Sequence, residues 1–281
     1  RMRAYNIPLL PWLPYRFFLG LFKPKNSLLG FSLSGIVEEL GKDVKKYKVG
    51  DEVFGSTGFA GGAYAEYKCL KEDAIIMKKP PGLTHEQAAV ISFGGLTALH
   101  FLRKPGDLKG KKIMIYGASG SLGTYAVQLA RHFGAEVSAV CGTKNIELVK
   151  SLGASKVYDY TKEDFTKSGQ KYDAIFETVG KSNIIKNLRC LKDDGYLLDA
   201  VHLTLIPIVV GMLANIFSKK KVLNGVCQEK QEELEFLTNL ITKGEVKPII
   251  DKAYPFNEII EAHRHVDTGH KVGNVAIAIK N

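Results

Sequence analysis

The chain has 281 residues, of which 45% are apolar and 24% are charged. This length allows about two domains, and the composition is that of a folded globular protein, which excludes a disordered or fibrous chain. The formal net charge is +10. Because the lysines are spread along the sequence, we expect no nucleic-acid partner.

The four cysteines are too far apart in sequence to form a C-x-x-C pair. They are Cys69, Cys141, Cys190 and Cys227. This spacing predicts neither a zinc knuckle nor a disulfide framework, and reduced thiols favour a cytoplasmic location. No basic and then apolar signal segment opens the chain, and the longest apolar run, residues 203–217, is shorter than the about 18 to 20 residues that cross a bilayer.

Residues 28–80 contain short stretches that are typical of extended structure and are separated by glycines. These stretches are residues 35–37, 50–55 and 63–67. A Pro-Pro-Gly sequence at residues 80–82 then interrupts the chain, and Thr84 follows as a predicted N-cap with Gln87 in the capping-box position. We therefore predict a small β-rich unit that ends near residue 83.

Predicted strands and helices alternate from Lys111 onward. Residues 113–116 predict a buried strand, an apolar stripe over residues 122–133 predicts a helix, and residues 137–140 predict a second strand. The pattern continues at residues 144–152, 157–158, 174–176 and 196–198, and then with a helical stretch at 256–266 and a terminal strand at 275–279. Such alternation is typical of an α/β fold with a doubly wound parallel sheet.

Residues 117–123, with the sequence GASGSLG, lie between the first predicted strand and its helix. They fit the dinucleotide fingerprint G-x-G-x-x-G if Ala118 replaces the first glycine. Gly120 would let the backbone approach the pyrophosphate, Gly123 would let the helix pack close to the strand, and the N–H groups of Ser121 and Leu122 would face the negative charge. The alternative is a tight turn that binds nothing. Because the motif is enclosed in a βαβ unit, we favour dinucleotide binding.

The end of the second strand of this unit distinguishes NAD from NADP, since an acidic residue there holds the ribose 2′-hydroxyl of NAD. Residues 141–145 read CGTKN and contain no carboxylate. Thr143 and Lys144 could donate hydrogen bonds to a 2′-phosphate, so NADP is favoured over NAD. The alternative is that Lys144 is merely an exposed lysine in the first turn of a helix.

Several motifs together resemble the medium-chain dehydrogenase/reductase superfamily, in particular its zinc-independent quinone oxidoreductase branch. The motifs are residues 50–55, 94–98, 117–131, 152–154, 159–160, 178–180 and 269–274. The resemblance implies a GroES-like β-rich catalytic domain formed by residues 1–83 and 249–281, and a Rossmann domain formed by residues 84–248. It also implies an active site in the cleft between the two domains.

The resemblance assigns further residues to the cofactor. It places Thr97 near the nicotinamide, Tyr160 near the adenosine 2′-phosphate, and Val179 and Gly180 beside the cofactor. The complete set that we predict to bind cofactor is Thr97, Ser119, Gly120, Ser121, Leu122, Gly123, Thr143, Lys144, Asn145, Tyr160, Val179 and Gly180.

Two departures from the family pattern affect the expected chemistry. Zinc-dependent relatives have a G-H-E segment where this chain has Gly30-Phe31-Ser32, and the closely spaced cysteines of their structural zinc site are missing, so we predict no metal. Relatives also carry about 50 further β-rich residues at the N-terminus, comparable to a very small domain. We therefore expect that the sequence, which opens with Arg1, lacks its natural start and part of the substrate pocket.

Catalytic side chains are harder to assign than cofactor ligands. Tyr5 and Tyr64 are our candidates because a phenol can hydrogen-bond a carbonyl oxygen as it receives hydride; a tyrosine at the edge of a packed core is the alternative. Thr97 is the third candidate, because the resemblance places it near the nicotinamide. His100 is better explained by packing. His263 and His265 lie two positions apart on a predicted helix and therefore on different faces, which argues against shared metal ligation.

The apolar run at residues 203–217 is followed after Ser218 by Lys219, Lys220 and Lys221. A run this apolar indicates that something covers it. A substrate-pocket wall or a subunit interface in a homo-oligomer is favoured over a membrane-surface helix, although a basic-flanked amphipathic stretch is the sequence pattern of the latter.

We therefore expect an NADPH-dependent enzyme that delivers hydride to a small molecule: a quinone, a carbonyl compound or an α,β-unsaturated carbonyl compound. Simple alcohol oxidation is less favoured without zinc as a Lewis acid. Two alternatives stay open, an NADP-dependent alcohol dehydrogenase and a cofactor-binding protein without turnover.

Overall fold

The computed structural model describes residues 29–201 and 205–279. The chain divides into two compact units: one contains Thr97–Cys227, and the other contains residues 29–96 and 228–279 of the described part. The sequence places the domain limits at residues 83 and 248 instead, and those limits stay a prediction about domain assignment.

The unit that contains Thr97–Cys227 is built on a six-stranded sheet in which every strand is parallel to its neighbours. The strands are β4 (Lys112–Tyr116), β5 (Glu136–Cys141), β6 (Lys156–Asp159), β7 (Tyr172–Glu177), β8 (Leu191–Asp199) and β9 (Lys221–Asn224). Their spatial order is β6-β5-β4-β7-β8-β9. The predicted doubly wound parallel sheet is confirmed, and its topological switch point lies between β4 and β7, where such sheets bind ligands at the carboxyl ends of the strands.

Among the described residues, five helices belong wholly or partly to this unit. They are α2 (Ile91–Leu102), which begins in the other unit, α3 (Ser121–His132), α4 (Ile146–Ser151), α5 (Ile184–Cys190) and α6 (Leu205–Phe217). Ile113, Met114 and Ile115 of the central strand β4 are fully buried. Strands that are covered on both faces read as continuous apolar runs, which is why the sequence revealed β4 so clearly.

The β-rich unit contains two small sheets. An antiparallel sheet is formed by β1 (Ser32–Ile36), β2 (Glu52–Ser56) and β3 (Ile76–Lys78), and a parallel pair by β10 (Ile250–Pro255) and β11 (Asn274–Ala278). Its helices are α1 (His85–Ala89), α7 (Gln231–Thr242) and α8 (Ile259–Asp267). The predicted capping box is confirmed at α1, where Thr84 Oγ1 accepts from Gln87 N and Gln87 Oε1 accepts from Thr84 N.

The prediction of an extended stretch at residues 63–67 is wrong. Gly61 and Gly62 have φ of +61° and +89°, and such left-handed residues turn the chain. Ala63 N then donates to Gly30 O and Tyr64 N donates to Leu29 O, and residues 63–67 form bends and irregular structure instead of a strand.

In the part of the chain that the structure describes, no helix is both long and apolar enough to cross a bilayer.

Candidate cofactor-binding site

The loop at residues 117–123 joins β4 to α3 and depends on two glycines for its own packing. A Cβ atom on Gly123 would lie 2.1 Å from Gly117 O and 2.7 Å from Ala118 Cα, so only glycine lets α3 approach the strand this closely. Gly117 has φ of +86°, and a Cβ on it would lie 2.1 Å from Val179 Cγ2. Both glycines are therefore required by the protein itself.

Gly120 differs from these two glycines. It is the N-cap of α3 with φ of −80° and ψ of 179°, a conformation that any residue adopts. A Cβ on Gly120 would touch only Gly117 O, at an ordinary 3.5 Å. No described residue comes close enough to require glycine here. Gly120 stands directly before the first turn of α3, and the backbone amides at the N-terminus of a helix can receive an anion.

The loop after β7 packs directly against this glycine loop. Thr178 Oγ1 donates to Tyr116 O at 2.7 Å and lies 3.2 Å from Gly117 O, and the close approach of Val179 to Gly117 continues the contact. The structure thus brings Val179 and Gly180 beside residues 117–123. Their predicted contact with cofactor stays a proposal.

Glu177 organises this second loop, and the sequence analysis did not identify it. The residue is 1% exposed, and its carboxylate accepts hydrogen bonds from Val179 N at 2.7 Å, Gly180 N at 2.8 Å and Ser182 N at 3.2 Å, and also from the Ser182 hydroxyl. A buried carboxylate is costly unless hydrogen bonds satisfy it, and here they fix the course of the chain past the switch point. An acid at the last position of an apolar strand is the sequence signal for such a residue.

A third group of residues gathers at the carboxyl ends of β5 and β6, and we call it the adenosine edge: residues 142–145 and 159–161. Residues Thr143–Asn145 form a 3₁₀ turn, and Asn145 Nδ2 donates to Ser119 Oγ at 3.1 Å. Tyr160 is 52% exposed, and its side chain lies over Gly142, where an added Cβ would be 3.4 Å from Tyr160 Oη. The structure therefore brings five predicted residues together here, namely Ser119, Thr143, Lys144, Asn145 and Tyr160.

Asp159 places a carboxylate at the adenosine edge, although residues 141–145 contain none. It is 4% exposed and accepts from the Thr143 hydroxyl and from Thr161 Oγ1 at 2.7 Å. These two hydrogen bonds hold the pKa of Asp159 below its ordinary value, so the group is ionised at neutral pH. Thr143 and Lys144 were the two predicted donors to a 2′-phosphate. The single Thr143 hydroxyl proton is directed at Asp159, so the exposed Lys144 is the donor that is left.

Cys141 precedes this edge and is buried at the end of β5. Burial, together with the nearby charge of Asp159, raises the pKa of the Cys141 thiol to about 11. The thiol is therefore protonated at neutral pH.

The predicted catalytic residues lie in different places. Thr97 lies on α2 and is half-buried, whereas Tyr5 lies outside the described residues. Tyr64 lies in the β-rich unit, where it is half-buried with its ring centroid 6.0 Å from that of His263. None of these positions by itself tests a catalytic role.

The histidines contact different groups, as expected for residues on different helix faces. His263 contacts Tyr64, whereas His265 Nε2 lies 3.1 Å from Asp251 and His265 Nδ1 lies 3.1 Å from Tyr254 Oη. His100, which we assigned to packing, is half-buried with its ring edge-on to Phe101.

The position that corresponds to the zinc-binding G-H-E segment has a donor set that does not fit zinc. The Phe31 ring stacks on Phe93 with 6.5 Å between centroids, and Ser32 Oγ accepts from Ser92 Oγ at 2.8 Å. Zinc in proteins is bound by thiolate, imidazole and carboxylate groups. Within the described residues, no group of three or more histidine, cysteine and acidic side chains could hold a metal ion.

Two family models match the chain: an alcohol dehydrogenase GroES-like domain at residues 15–81 and a zinc-binding dehydrogenase at residues 152–277. The chain is 31% identical to a chloroplast envelope quinone oxidoreductase homolog of Arabidopsis thaliana, over 99% of this chain and 88% of that protein. It is also 31% identical to an NADPH-dependent alkenal/one oxidoreductase of the same plant, over 92% of this chain and 66% of that protein.

A solved structure shows the same arrangement of elements. The quinone oxidoreductase from Coxiella burnetii superposes with a TM-score of 0.86 and 28% sequence identity, covering 98% of this chain and 87% of that chain. This structural match, together with the family models and the plant relatives, identifies both the GroES-like and the Rossmann-like parts of the fold. The chain belongs to the medium-chain dehydrogenase/reductase superfamily, in its zinc-independent quinone oxidoreductase-like branch.

Proposed function

We propose that this protein is an NADPH-dependent oxidoreductase that transfers hydride to a quinone, a carbonyl compound or an α,β-unsaturated carbonyl compound without catalytic zinc. The observation that carries the proposal is the glycine loop. Packing requires Gly117 and Gly123, whereas the space beside Gly120 at the N-terminus of α3 is bordered, among the described residues, only by Gly117 O, 3.5 Å from where a Cβ would lie. A dinucleotide diphosphate fits such a space and its amide donors.

The relatives support the reaction class. One is named a quinone oxidoreductase homolog and the other an NADPH-dependent alkenal/one oxidoreductase. Quinones and enones both accept hydride at carbon and gain negative charge on oxygen. A small-molecule acceptor of that class agrees with a site whose donor set does not fit zinc.

The residues of this chain position the cofactor and do not carry the redox chemistry. The nicotinamide supplies the hydride when it is bound. Gly120 and the first-turn amides of α3 hold the diphosphate, and the loop fixed by Glu177 lets Val179 and Gly180 pass beside the cofactor. Thr97, Tyr64 and Tyr5 stay our candidates for contacts with the nicotinamide or the acceptor oxygen.

We propose NADP rather than NAD because of the charges at the adenosine edge. The Asp159 carboxylate already accepts from Thr143 and Thr161, and Lys162 Nζ lies 3.8 Å from it. Its carboxylate oxygens therefore already have partners within the protein, and Asp159 does not take the place of the acid that binds the NAD ribose. Exposed Lys144 and the Tyr160 hydroxyl are free to approach a 2′-phosphate.

The test is a steady-state assay of NADPH oxidation with a p-benzoquinone, an alkyl vinyl ketone and a simple aldehyde as acceptors, beside NADP⁺ reduction with primary alcohols. We expect turnover with at least one of the three acceptors, none with the alcohols, and less than about 0.1 zinc per chain, far below the one zinc that a catalytic site holds. The Gly120→Val variant serves as the control for reaction outside the cofactor site.

Other outcomes would select the alternatives. Alcohol oxidation with about one zinc per chain, the number in a catalytic site, would make the protein a metal-dependent alcohol dehydrogenase. Tight NADPH binding without turnover of any acceptor would make it a binding protein. The predicted homo-oligomer and cytoplasmic location stay proposals, to be checked by analytical ultracentrifugation and by localisation of the full-length protein.

A further inference from the structure

Helix α6 carries its small residues on the inside. Pro207 and Gly211 are buried, and Val210 and Ala214 pack against the core of the parallel sheet. A Cβ on Gly211 would lie 2.9 Å from Val222 Cγ1, so the helix lies very close to β9. The inner face is filled by residues that contribute little apolar area.

The large apolar residues of α6 are on the outside. They are Ile208, Val209, Met212, Leu213, Ile216 and Phe217, with exposed fractions between 37% and 80%. At 100° per residue these positions fall within one half of the helix circumference and form one continuous stripe, which we call the α6 face. A helix at a water-exposed surface normally has the opposite arrangement, and a contiguous apolar patch of this kind marks an interaction site.

A lysine-rich depression adjoins the C-terminal end of the α6 face. It has a volume of about 500 Å³ and is lined by Asp194, Asn215, Ser218, Lys219, Lys220, Lys221 and Leu223. Lys220 Nζ donates to Leu188 O at 2.7 Å, and Lys221 Nζ lies 3.3 Å from Tyr196 Oη. Three lysines against one aspartate make this region positive, and the first of the lysines, Lys219, lies two residues after Phe217, the most exposed residue of the face.

We propose that the α6 face and its lysine depression dock on the surface of a membrane that contains anionic lipids. A bilayer offers an apolar layer beneath a negatively charged one, which matches an apolar stripe beside a group of lysines. The 13 residues of α6 span about 20 Å, less than the about 30 Å of a bilayer core, so the helix lies in the interface and does not cross it.

A second copy of this chain fits the same surface poorly. If two α6 helices paired in parallel, their lysine groups would face each other. If they paired antiparallel, each lysine group would meet the first turn of the other α6, which has no acidic residue and carries the positive end of the helix dipole. The sequence alone favours a pocket wall or a subunit interface for residues 203–217; the exposed face and the adjoining lysines favour the membrane.

The test is co-sedimentation of the whole protein with vesicles of phosphatidylcholine alone and of phosphatidylcholine with 30% phosphatidylserine, a fraction on the order of that in strongly anionic membranes. We expect binding to the anionic vesicles that weakens as salt is raised. Ile216→Glu should weaken it roughly tenfold or more, because the buried apolar side chain becomes a charge. Lys219→Gln should weaken it about fivefold.

Ile260→Glu on α8 is the matched control, because Ile260 is 63% exposed and lies outside the α6 face; it should bind vesicles like the parent. Thermal unfolding of each variant in the absence of vesicles should be unchanged, since the altered side chains are exposed. Failure to bind either vesicle, equal binding by Ile216→Glu and the parent, or an oligomer that Ile216→Glu dissociates would each overturn the proposal. The assay contains no cofactor or acceptor, so its result is independent of the proposed reaction.

Discussion

The glycine loop and the adenosine edge lie at the same edge of one sheet but are constructed differently. The loop at residues 117–123 is shaped by backbone contacts, in which missing side chains allow close approach. The adenosine edge is shaped by side chains where β5 and β6 end, with Thr143 hydrogen-bonded to Asp159 and Tyr160 lying over Gly142. The comparison shows that a site formed by backbone tolerates few substitutions, whereas substitutions at a site formed by side chains can change its ligand selectivity and leave the fold unchanged.

The largest effect is expected for Gly123→Ala. The new Cβ would lie 2.1 Å from Gly117 O and 2.7 Å from Ala118 Cα, and neither backbone atom can move without displacing β4 or α3. We expect the free energy of unfolding to fall by about 3 kcal/mol or more. Urea denaturation followed by circular dichroism measures this change.

Gly120→Ala is the matched control for Gly123→Ala. Its Cβ would make one ordinary contact at 3.5 Å and its φ suits alanine, so the free energy of unfolding should change by less than about 1 kcal/mol. Equal losses in the two variants would contradict the distinction between these glycines.

The second largest effect is expected for Gly120→Val, which should weaken cofactor binding. A branched side chain would enter the space assigned to the diphosphate, and we expect the Kd for NADPH to rise roughly a hundredfold, while unfolding without ligand changes by about 1 kcal/mol. Isothermal titration calorimetry beside thermal unfolding separates the two quantities. A folded variant that binds NADPH like the parent would show that the loop is only a structural turn.

Cofactor selectivity at the adenosine edge should respond to Lys144→Glu. The change removes a charged donor and adds repulsion, so the ratio of NADH to NADPH affinity should rise about tenfold to a hundredfold, and the loop should be unaffected. Kd values for both cofactors give the ratio. Lys150→Glu, also an exposed lysine of the same region of chain, should leave the ratio unchanged; an equal response of both variants would point to net charge alone.

The smallest effect is expected for Thr143→Val. The Thr143 hydroxyl is the largest cause of the lowered pKa of Asp159, so the pKa in the variant should rise towards its ordinary value. A carboxyl with a lowered pKa in the folded state stabilises the protein above its unfolded pKa, about 3.9, and the contribution is lost as pH falls through the folded value. The parent should therefore unfold at a higher temperature than the variant at pH 7, and this difference should shrink below about pH 4. A difference that is independent of pH would assign the effect to packing.

Backbone-determined features were predictable from the sequence, and features that depend on two distant segments were not. The motif Ala118 to Gly123 and the apolar run at 113–116 gave the loop and the central strand, because small residues and continuous apolar runs have one structural explanation each. Asp159 was missed as a neighbour of Thr143 because only the pairing of β5 with β6 brings them together. The sequence could still have placed Asp159 near Thr143, because adjacent parallel strands end at the same edge of a sheet.

The apolar run at 203–217 shows a different limit. Hydrophobicity alone indicated that something covers it, but which residues face inward depends on the contact between Gly211 and Val222. The predicted strand at 63–67 failed for a related reason, since Gly61 and Gly62 turn the chain before a ladder can form.

The environment of Cys141 has a consequence for the durability of the proposed enzyme. Quinones and enones are electrophiles that alkylate thiolates far faster than thiols. With a pKa of about 11, only about one Cys141 in ten thousand is ionised at pH 7. The charge of Asp159 opposes formation of a second anion beside it, so Asp159 protects the neighbouring Cys141 thiol from the acceptors that the enzyme consumes. Alkylation would fall first on Cys69, which is exposed on the β-rich unit.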